Sequence, residues 1–110
     1  MQTLTTLSFS TTLETCKKLL VQHYGEKLKG VILFGSAARQ EITAESDIDL
    51  LVLLAQPLDP VQELRTVVDV LYPVQLEASH WISAMPAAQD EFTAGSIQLY
   101  RNIQQEGIVI

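Results

Sequence analysis

Two aspartates, Asp47 and Asp49, stand one residue apart at the start of the apolar run 50–54. In an extended strand the side chains of residues i and i+2 leave the same face, about 6.5–7 Å apart, while the residue between them enters the opposite layer. Ile48 would therefore point into a core and the two carboxylates would point out together. Hard oxygen ligands at this separation suit Mg²⁺. The spacing predicts a divalent-cation site.

A second polar feature precedes the aspartates, where the apolar run 31–34 ends in Gly35 and Ser36. Ser36 to about Gln40 is expected to form a brief helix, whose first backbone N–H groups lack intrahelical partners and so can face an anion. Gly35 would let such an anion approach the backbone, and Ser36 would offer a hydroxyl and an N–H to it, so phosphate oxygens would fit there. Arg39, one turn on, suits either a phosphate contact or a surface ion pair.

The combination is more specific than its parts, since Gly-Ser pairs and Asp-x-Asp sequences also occur in ordinary solvated turns. An apolar strand, Gly35-Ser36, ten intervening residues and then Asp47-Ile48-Asp49 leading into a second strand resembles the nucleotidyltransferase superfamily typified by DNA polymerase beta. The amino-acid sequence of this segment, with Ser46 before the first aspartate, is similar to that of the minimal nucleotidyltransferases. These are small prokaryotic proteins often paired with a HEPN-domain partner.

The resemblance implies a Mg²⁺-dependent transferase, with two Mg²⁺ ions held by Asp47 and Asp49 and a nucleoside triphosphate, most simply ATP, as substrate. It assigns nucleotide binding to Gly35, Ser36, Arg39 and Ser46. The transferred group would be AMP and the acceptor a hydroxyl on a partner protein. The family relationship further implies that the chain is the antitoxin of a HEPN toxin pair and modifies or restrains that toxin, with a tyrosine hydroxyl as one acceptor.

The superfamily usually takes a third carboxylate from the following strand, and here the sequence departs from the pattern. Val74-Gln75-Leu76 has an amide where the acid is expected, whereas Glu77 shares a strand face with Gln75. Glu77 is the predicted third metal ligand and catalytic carboxylate. If Gln75 occupies the acidic position instead, the second ion is weakened. The alternative function is then a weak or inactive binding module that neutralises or assembles with a partner.

Periodicity and punctuation predict a small α/β fold of the α+β kind, a mixed sheet with helices packed on it, in one domain spanning residues 1–110. Ser10 is expected to cap a helix reaching about Leu28, and a second helix starts at Asp59-Pro60 and ends at Pro73. Beyond strands 31–34 and 48–54, the expected elements are a third strand, Val74–Ser79, extended at most to Ile82, and a last helix, Ile97–Glu106, closed by Gly107.

Composition excludes several other classes of protein. The chain has 110 residues and a net charge of −6, and its only basic cluster is Lys17-Lys18, so no direct nucleic-acid binding is expected. No run approaches the ~20 apolar residues of a membrane span, and the lone Cys16 is interpreted as packing in a reducing cytoplasm. His23 and His80 lack zinc-site spacing and are expected to be solvated or locally hydrogen-bonded.

Two further possibilities concern the oligomeric state of the chain and transfer to a small-molecule acceptor. A homo-oligomer, or a hetero-oligomer with the partner, would cover exposed helices, with the stretch 97–110 as the contact candidate. A small-molecule nucleotidyltransferase acting on an antibiotic is disfavoured, because a chain of this length leaves little room for an acceptor pocket.

Overall fold

The computed structural model describes residues 8–39, 41–43 and 45–110 and begins with helix α1, Phe9–Tyr24. Ser8 caps it, accepting a hydrogen bond from the Thr11 N–H at 3.2 Å. The predicted cap at Ser10 is wrong by two residues. The predicted end at Leu28 is also wrong, because Gly25, at φ 55°, ends the helix and a single 3-10 turn leads into the first strand.

Four strands form one mixed sheet in the order β3-β2-β1-β4. The central strands β1, Leu28–Phe34, and β2, Ile48–Leu54, run antiparallel, and β2 pairs in parallel with β3, Ile82–Ala88. The short β4, Ile108–Val109, was not expected from the sequence and pairs antiparallel with β1. The predicted fold class, a small mixed sheet with helices packed on it, is confirmed.

Helix α3, Pro60–Glu77, is longer than predicted and contains Pro73. Asp59 caps it as expected, accepting from the N–H groups of Val61 and Gln62. Proline inside a helix removes one backbone hydrogen bond, but Pro73 faces solvent, where water can satisfy the carbonyl left without a partner. Buried Val67, Leu71 and Val74, continued by Ala78, keep helical spacing across it. The packing of this stripe outweighs the local break, so the predicted strand Val74–Ser79 is wrong.

The third strand therefore begins later, at Ile82, and runs to Ala88 through Pro86. Proline is tolerated here because β3 is an edge strand, and an edge residue can lack an N–H without breaking the sheet. At the start of the strand the Ile82 N–H donates to the Gln75 side chain at 2.7 Å. Both features reduce the number of free donors along this edge, which discourages pairing with another strand.

Side chains of the central strands alternate between two cores. Helices α1 and α3 cover one sheet face, over a cluster that includes Ile48, Leu50 and Val52 of β2. Helices α4, Gln89–Ala94, and α5, Gln98–Glu106, contribute to the cluster on the opposite face, with Leu51 and Leu53 of β2. The predicted last helix is α5, which begins at Gln98, one residue after the predicted start, and ends at Glu106 as predicted. Helix α4 was not predicted.

The structure also describes the surroundings of Cys16 and the length and apolarity of the helices. Cys16 is fully buried in the first core, and burial raises the pKa of its thiol to about 11, which agrees with a packing role. Among the described residues, no helix is both long and apolar enough to cross a bilayer.

Candidate active site

Asp47 directly precedes β2, and Asp49 is the second residue of that strand. Ile48, between them, is fully buried in the core under α1 and α3. Asp49 shares its face of the strand with Leu51 and Leu53, which point into the opposite core. Asp47 is exposed and Asp49 is partly buried. The pair therefore lies at the open end of the second sheet face, beyond the side chains that fill its core.

Gly35 brings the end of β1 against this pair. The strand register places Phe34 opposite Asp49, and the next residue, Gly35, has φ 73°, a conformation that L side chains rarely adopt. A Cβ atom at Gly35 would lie 3.3 Å from Cγ of Asp49 and closer still to Oδ2. Glycine is thus required by both the backbone turn and the carboxylate. The sequence had suggested room for a phosphate, whereas the space is taken by Asp49.

Electrostatics at the pair favour a bound cation. Burial raises the pKa of Asp49 above its ordinary value of 3.8, and the nearby negative charge of Asp47 raises it further. Two carboxylates therefore lie close enough to repel one another, and one of them is partly withdrawn from water. A divalent cation between them would offset both costs, and oxygen donors are those that Mg²⁺ prefers. The donor set fits one such ion.

The raised pKa predicts that Asp49 costs the protein stability at neutral pH. A carboxyl group whose pKa is higher folded than unfolded favours the folded state most when protonated, and this contribution is lost as the pH rises through the folded pKa. We expect Asp49→Asn to raise the thermal unfolding midpoint at pH 7 in metal-free buffer. The advantage should shrink as the pH falls through the raised folded pKa and disappear well below 3.8, where the wild-type carboxyl is protonated in both states. Unfolding scans between pH 3 and 8 measure it, and an unchanged or lower midpoint at pH 7 would contradict the expectation.

Ser36 and Arg39 lie on the short helix α2, Gly35–Ala38, and at its end. Ser36 is partly buried and directly follows Gly35, the residue that lies against Asp49. Arg39 forms surface ion pairs instead, from Nε to Glu41 at 3.3 Å and from Nη1 to Glu106 at 3.4 Å. Of the two alternatives that the sequence left open for Arg39, the structure contains the ion pair.

Ser46 holds the loop that precedes the aspartates. Its hydroxyl accepts from the Thr43 N–H at 2.8 Å and donates to the Glu41 carbonyl at 3.3 Å. Its own N–H donates to the Thr43 carbonyl at 3.1 Å. The side chain predicted to bind nucleotide is thus engaged in fixing the turn into Asp47.

Glu77 does not lie where the sequence prediction requires. It is an exposed residue in the last turn of α3, not on a strand beside Gln75. In residues 8–39, 41–43 and 45–110, no three or more Asp, Glu, His or Cys side chains are grouped to share a metal ion. The interpretation of Glu77 as a strand neighbour of the aspartates is therefore wrong, because the segment is helical.

Gln75 is not at the acidic position either, since its side chain links α3 to the start of β3. The residue that faces the pair from β3 is Ser83, which the parallel register sets beside Asp49. Ser83 shares its strand face with Met85 and Ala87, which belong to the same core as Leu51. Sequence reasoning missed Ser83 because small residues and Pro86 give this strand little β signal. The alternation of Ile82 and Ala84 with Ser83 was the available clue.

Comparison with known proteins shows the family to which the chain belongs. The polymerase beta nucleotidyltransferase family matches residues 14–110. A Methanocaldococcus jannaschii protein named "Putative protein adenylyltransferase MJ0604" is 34% identical over 92 residues, which cover 83% of this chain and 86% of the relative. The chain therefore belongs to the polymerase beta nucleotidyltransferase family, and the family resemblance of its motif is confirmed. It has the fold of an enzyme of this class.

Two solved structures share the fold. Spectinomycin adenyltransferase AAD(9) from Enterococcus faecialis, determined with ATP and spectinomycin, superposes with a TM-score of 0.62 at 23% identity. The match covers 77% of this chain but only 36% of that enzyme, so the chain spans about a third of its length. A toxin-antitoxin structure with AMP-PNP gives a TM-score of 0.56 at 22% identity, covering 87% of this chain and 69% of that one.

Proposed function

We propose that this protein is a Mg²⁺-dependent nucleotidyltransferase that moves AMP from ATP to a hydroxyl group on a partner protein. The observation that carries the proposal is the convergence of Asp47 and Asp49 beside Gly35 at the open end of the sheet. A relative named as a protein adenylyltransferase, matched over most of both chains, supports AMP as the transferred group and protein as the acceptor.

The reaction joins the acceptor oxygen to the α-phosphorus of ATP and breaks the bond from that phosphorus to the bridging oxygen, so pyrophosphate leaves and the proton of the acceptor hydroxyl passes to solvent. Negative charge develops on the entering, non-bridging and departing oxygens, and catalysis consists mainly of positioning and charge stabilisation. Bound Mg²⁺ would supply that charge stabilisation and lower the pKa of the acceptor hydroxyl.

Different residues of the chain would bind the cation and the phosphate groups. Asp47 and Asp49 would hold the cation, with Asp49 fixed by its partly buried place against Gly35. Ser36 would donate its hydroxyl and backbone N–H to phosphate oxygens. Arg39 would contact phosphate only after leaving Glu41 and Glu106, and both ion pairs are exposed, where such pairs contribute about 0–1 kcal/mol.

The proposed partner is a HEPN-domain toxin, with this chain as its antitoxin and a toxin tyrosine hydroxyl as one acceptor. The toxin-antitoxin complex that shares the fold supports this biological class. The charge of the chain, −6, would complement a basic RNA-cutting partner, since electrostatic complementarity steers association.

The test is to incubate the purified chain with α-labelled ATP, MgCl₂ and the protein encoded by the adjacent reading frame. Covalent label on the neighbour, with release of pyrophosphate and dependence on Mg²⁺, is the expected result. Tryptic mapping of the labelled site then identifies the acceptor side chain. A stable complex that carries no label would contradict the transfer reaction and support a binding function.

That binding function is the second candidate, favoured by one observation. Ser83, not a carboxylate, faces Asp49 from β3, so the described residues give the pair two acidic ligands instead of three. Two Mg²⁺ ions would be poorly neutralised by this set. In this case the chain would bind nucleotide with one ion and act on its partner stoichiometrically.

The Ser83 position gives a direct prediction. We expect Ser83→Asp to add an acidic ligand beside Asp49 and tighten Mn²⁺ binding by about tenfold, or ~1.4 kcal/mol. Isothermal titration with Mn²⁺ measures the affinity and stoichiometry, and Ser96→Asp, at an exposed position between α4 and α5, controls for the added charge. Equal Mn²⁺ affinities for both variants would exclude position 83 from the cation site.

A further inference from the structure

A hydrogen bond from the segment just before β3 reaches the loop that leads into the carboxylate pair. Nδ1 of His80 lies 2.8 Å from the carbonyl oxygen of Ser46, the residue directly before Asp47. A carbonyl oxygen can only accept, so Nδ1 carries the proton and donates it. The sequence predicted a solvated or locally hydrogen-bonded histidine, whereas this bond joins residues that are 34 positions apart in the chain.

His80 is itself held in place by two neighbours. Gln75 on α3 donates from Nε2 to the His80 carbonyl at 3.0 Å, while its Oε1 accepts from the N–H of Ile82 at 2.7 Å. The amide thus spans the entry to β3, which a carboxylate could not do because it has no donor. The His80 ring also packs edge-on against Phe9 of α1, with ring centroids 5.5 Å apart and an angle of 87°.

The backbone on both sides of Asp47 is hydrogen-bonded to the two residues that precede β3, His80 and Trp81. The Ser46 carbonyl on one side accepts from His80, and the Ile48 N–H on the other donates to the Trp81 carbonyl at 2.8 Å. Asp49 has a steric support of its own in Gly35. Asp47 is exposed, so its place in the pair depends on these two bonds.

We infer that His80 is a positioning residue, whose Nδ1–H holds the Ser46 carbonyl and thereby keeps Asp47 directed toward the cation shared with Asp49. The inference rests on the proposed cation site. Groups that orient metal ligands in this way typically contribute 10- to 100-fold to metal affinity or activity. The role requires the donor at the Nδ1 position and not the aromatic ring.

Two substitutions at His80 distinguish the role of its hydrogen-bond donor from the role of its aromatic ring. His80→Asn keeps an N–H at the position of Nδ1 but removes the ring, whereas His80→Phe keeps a ring to pack on Phe9 but removes the donor. We expect His80→Phe to weaken Mn²⁺ binding at least about tenfold, as measured by electron paramagnetic resonance. The same substitution should lower kcat for AMP transfer more than it raises KM for ATP. His80→Asn should stay within about threefold of wild type. The exposed His23, replaced by Phe, is the matched control and should change neither quantity.

The opposite order, with His80→Phe intact and His80→Asn impaired, would overturn the inference in favour of ring packing, as would two unimpaired variants. Should His80→Phe fail to fold, His80→Leu replaces it, because leucine and asparagine have similar shapes and differ in the donor. A wild type that binds Mn²⁺ but transfers no AMP would refute the enzyme alone, and the Mn²⁺ affinities would still decide the role of His80. A wild type that binds no Mn²⁺ would refute the cation site and this inference together.

Discussion

Replacing Asp49 by Asn is expected to lower AMP transfer by at least about 10³-fold while leaving the protein folded. Asparagine has the shape of aspartate, so it fits beside Gly35, but it lacks the charge that a divalent cation requires. Asp47→Asn should lose activity to a similar extent, because a single remaining carboxylate cannot hold the ion in register. Initial rates with α-labelled ATP and the partner protein measure both losses.

Asp69→Asn on α3 is the matched control, an exposed aspartate on the opposite layer from the site, and should retain wild-type rates. The combined outcome for Asp49→Asn, a higher unfolding midpoint without metal but no transfer, would mark the pair as a site kept at a cost in stability. Transfer by Asp49→Asn within tenfold of wild type would refute a catalytic role for this carboxylate.

Gly35→Ala should reduce AMP transfer by about 10²-fold, because misplacing a catalytic group by about 1 Å can cost that much. The new methyl group would overlap Oδ2 of Asp49, so the carboxylate must rotate away from the pair. A positive φ at this position adds a backbone cost of roughly 1–3 kcal/mol to the stability loss. Mn²⁺ affinity and transfer rate should therefore fall together.

Gly25→Ala provides the comparison, since Gly25 also has a positive φ but a Cβ there meets nothing within 4 Å. We expect it to lose stability, again roughly 1–3 kcal/mol, and to keep its Mn²⁺ affinity and its activity per folded molecule. Urea unfolding measures the first quantity. Equal loss of activity in the two variants would show that Gly35 acts through backbone strain and not through contact with Asp49.

The part of the site that could be predicted from the sequence is local. Asp47 and Asp49 are separated by a single residue, so strand geometry alone puts them on one face and buries Ile48 on the other. Gly35 was predicted to leave room for a triphosphate, and that role stays a prediction; in the structure the group that lies against it is the Asp49 carboxylate. These features depend on few residues and on the period of a strand.

The residue that lies beside Asp49 on the neighbouring strand could not be predicted in the same way. Pro73 and the alternating Val74-Gln75-Leu76-Glu77 segment favour the end of a helix and the start of a strand, but Val67, Leu71 and Val74 pack as one helical stripe on the core. A local preference of a few kcal/mol is outweighed by burial of such a stripe. As a result Glu77 lies on the surface of α3, and Ser83 is the β3 residue beside Asp49.

The sequence by itself determined the family, the placement of Asp47 and Asp49 beside one another and the mixed sheet, because a short motif and the periods of helix and strand encode them. Only the tertiary structure decided which β3 residue lies beside Asp49, what holds Ser46, and that Arg39 pairs with Glu41 and Glu106. Strand register and contacts between distant segments depend on how the whole chain packs. No local pattern of residues specifies them.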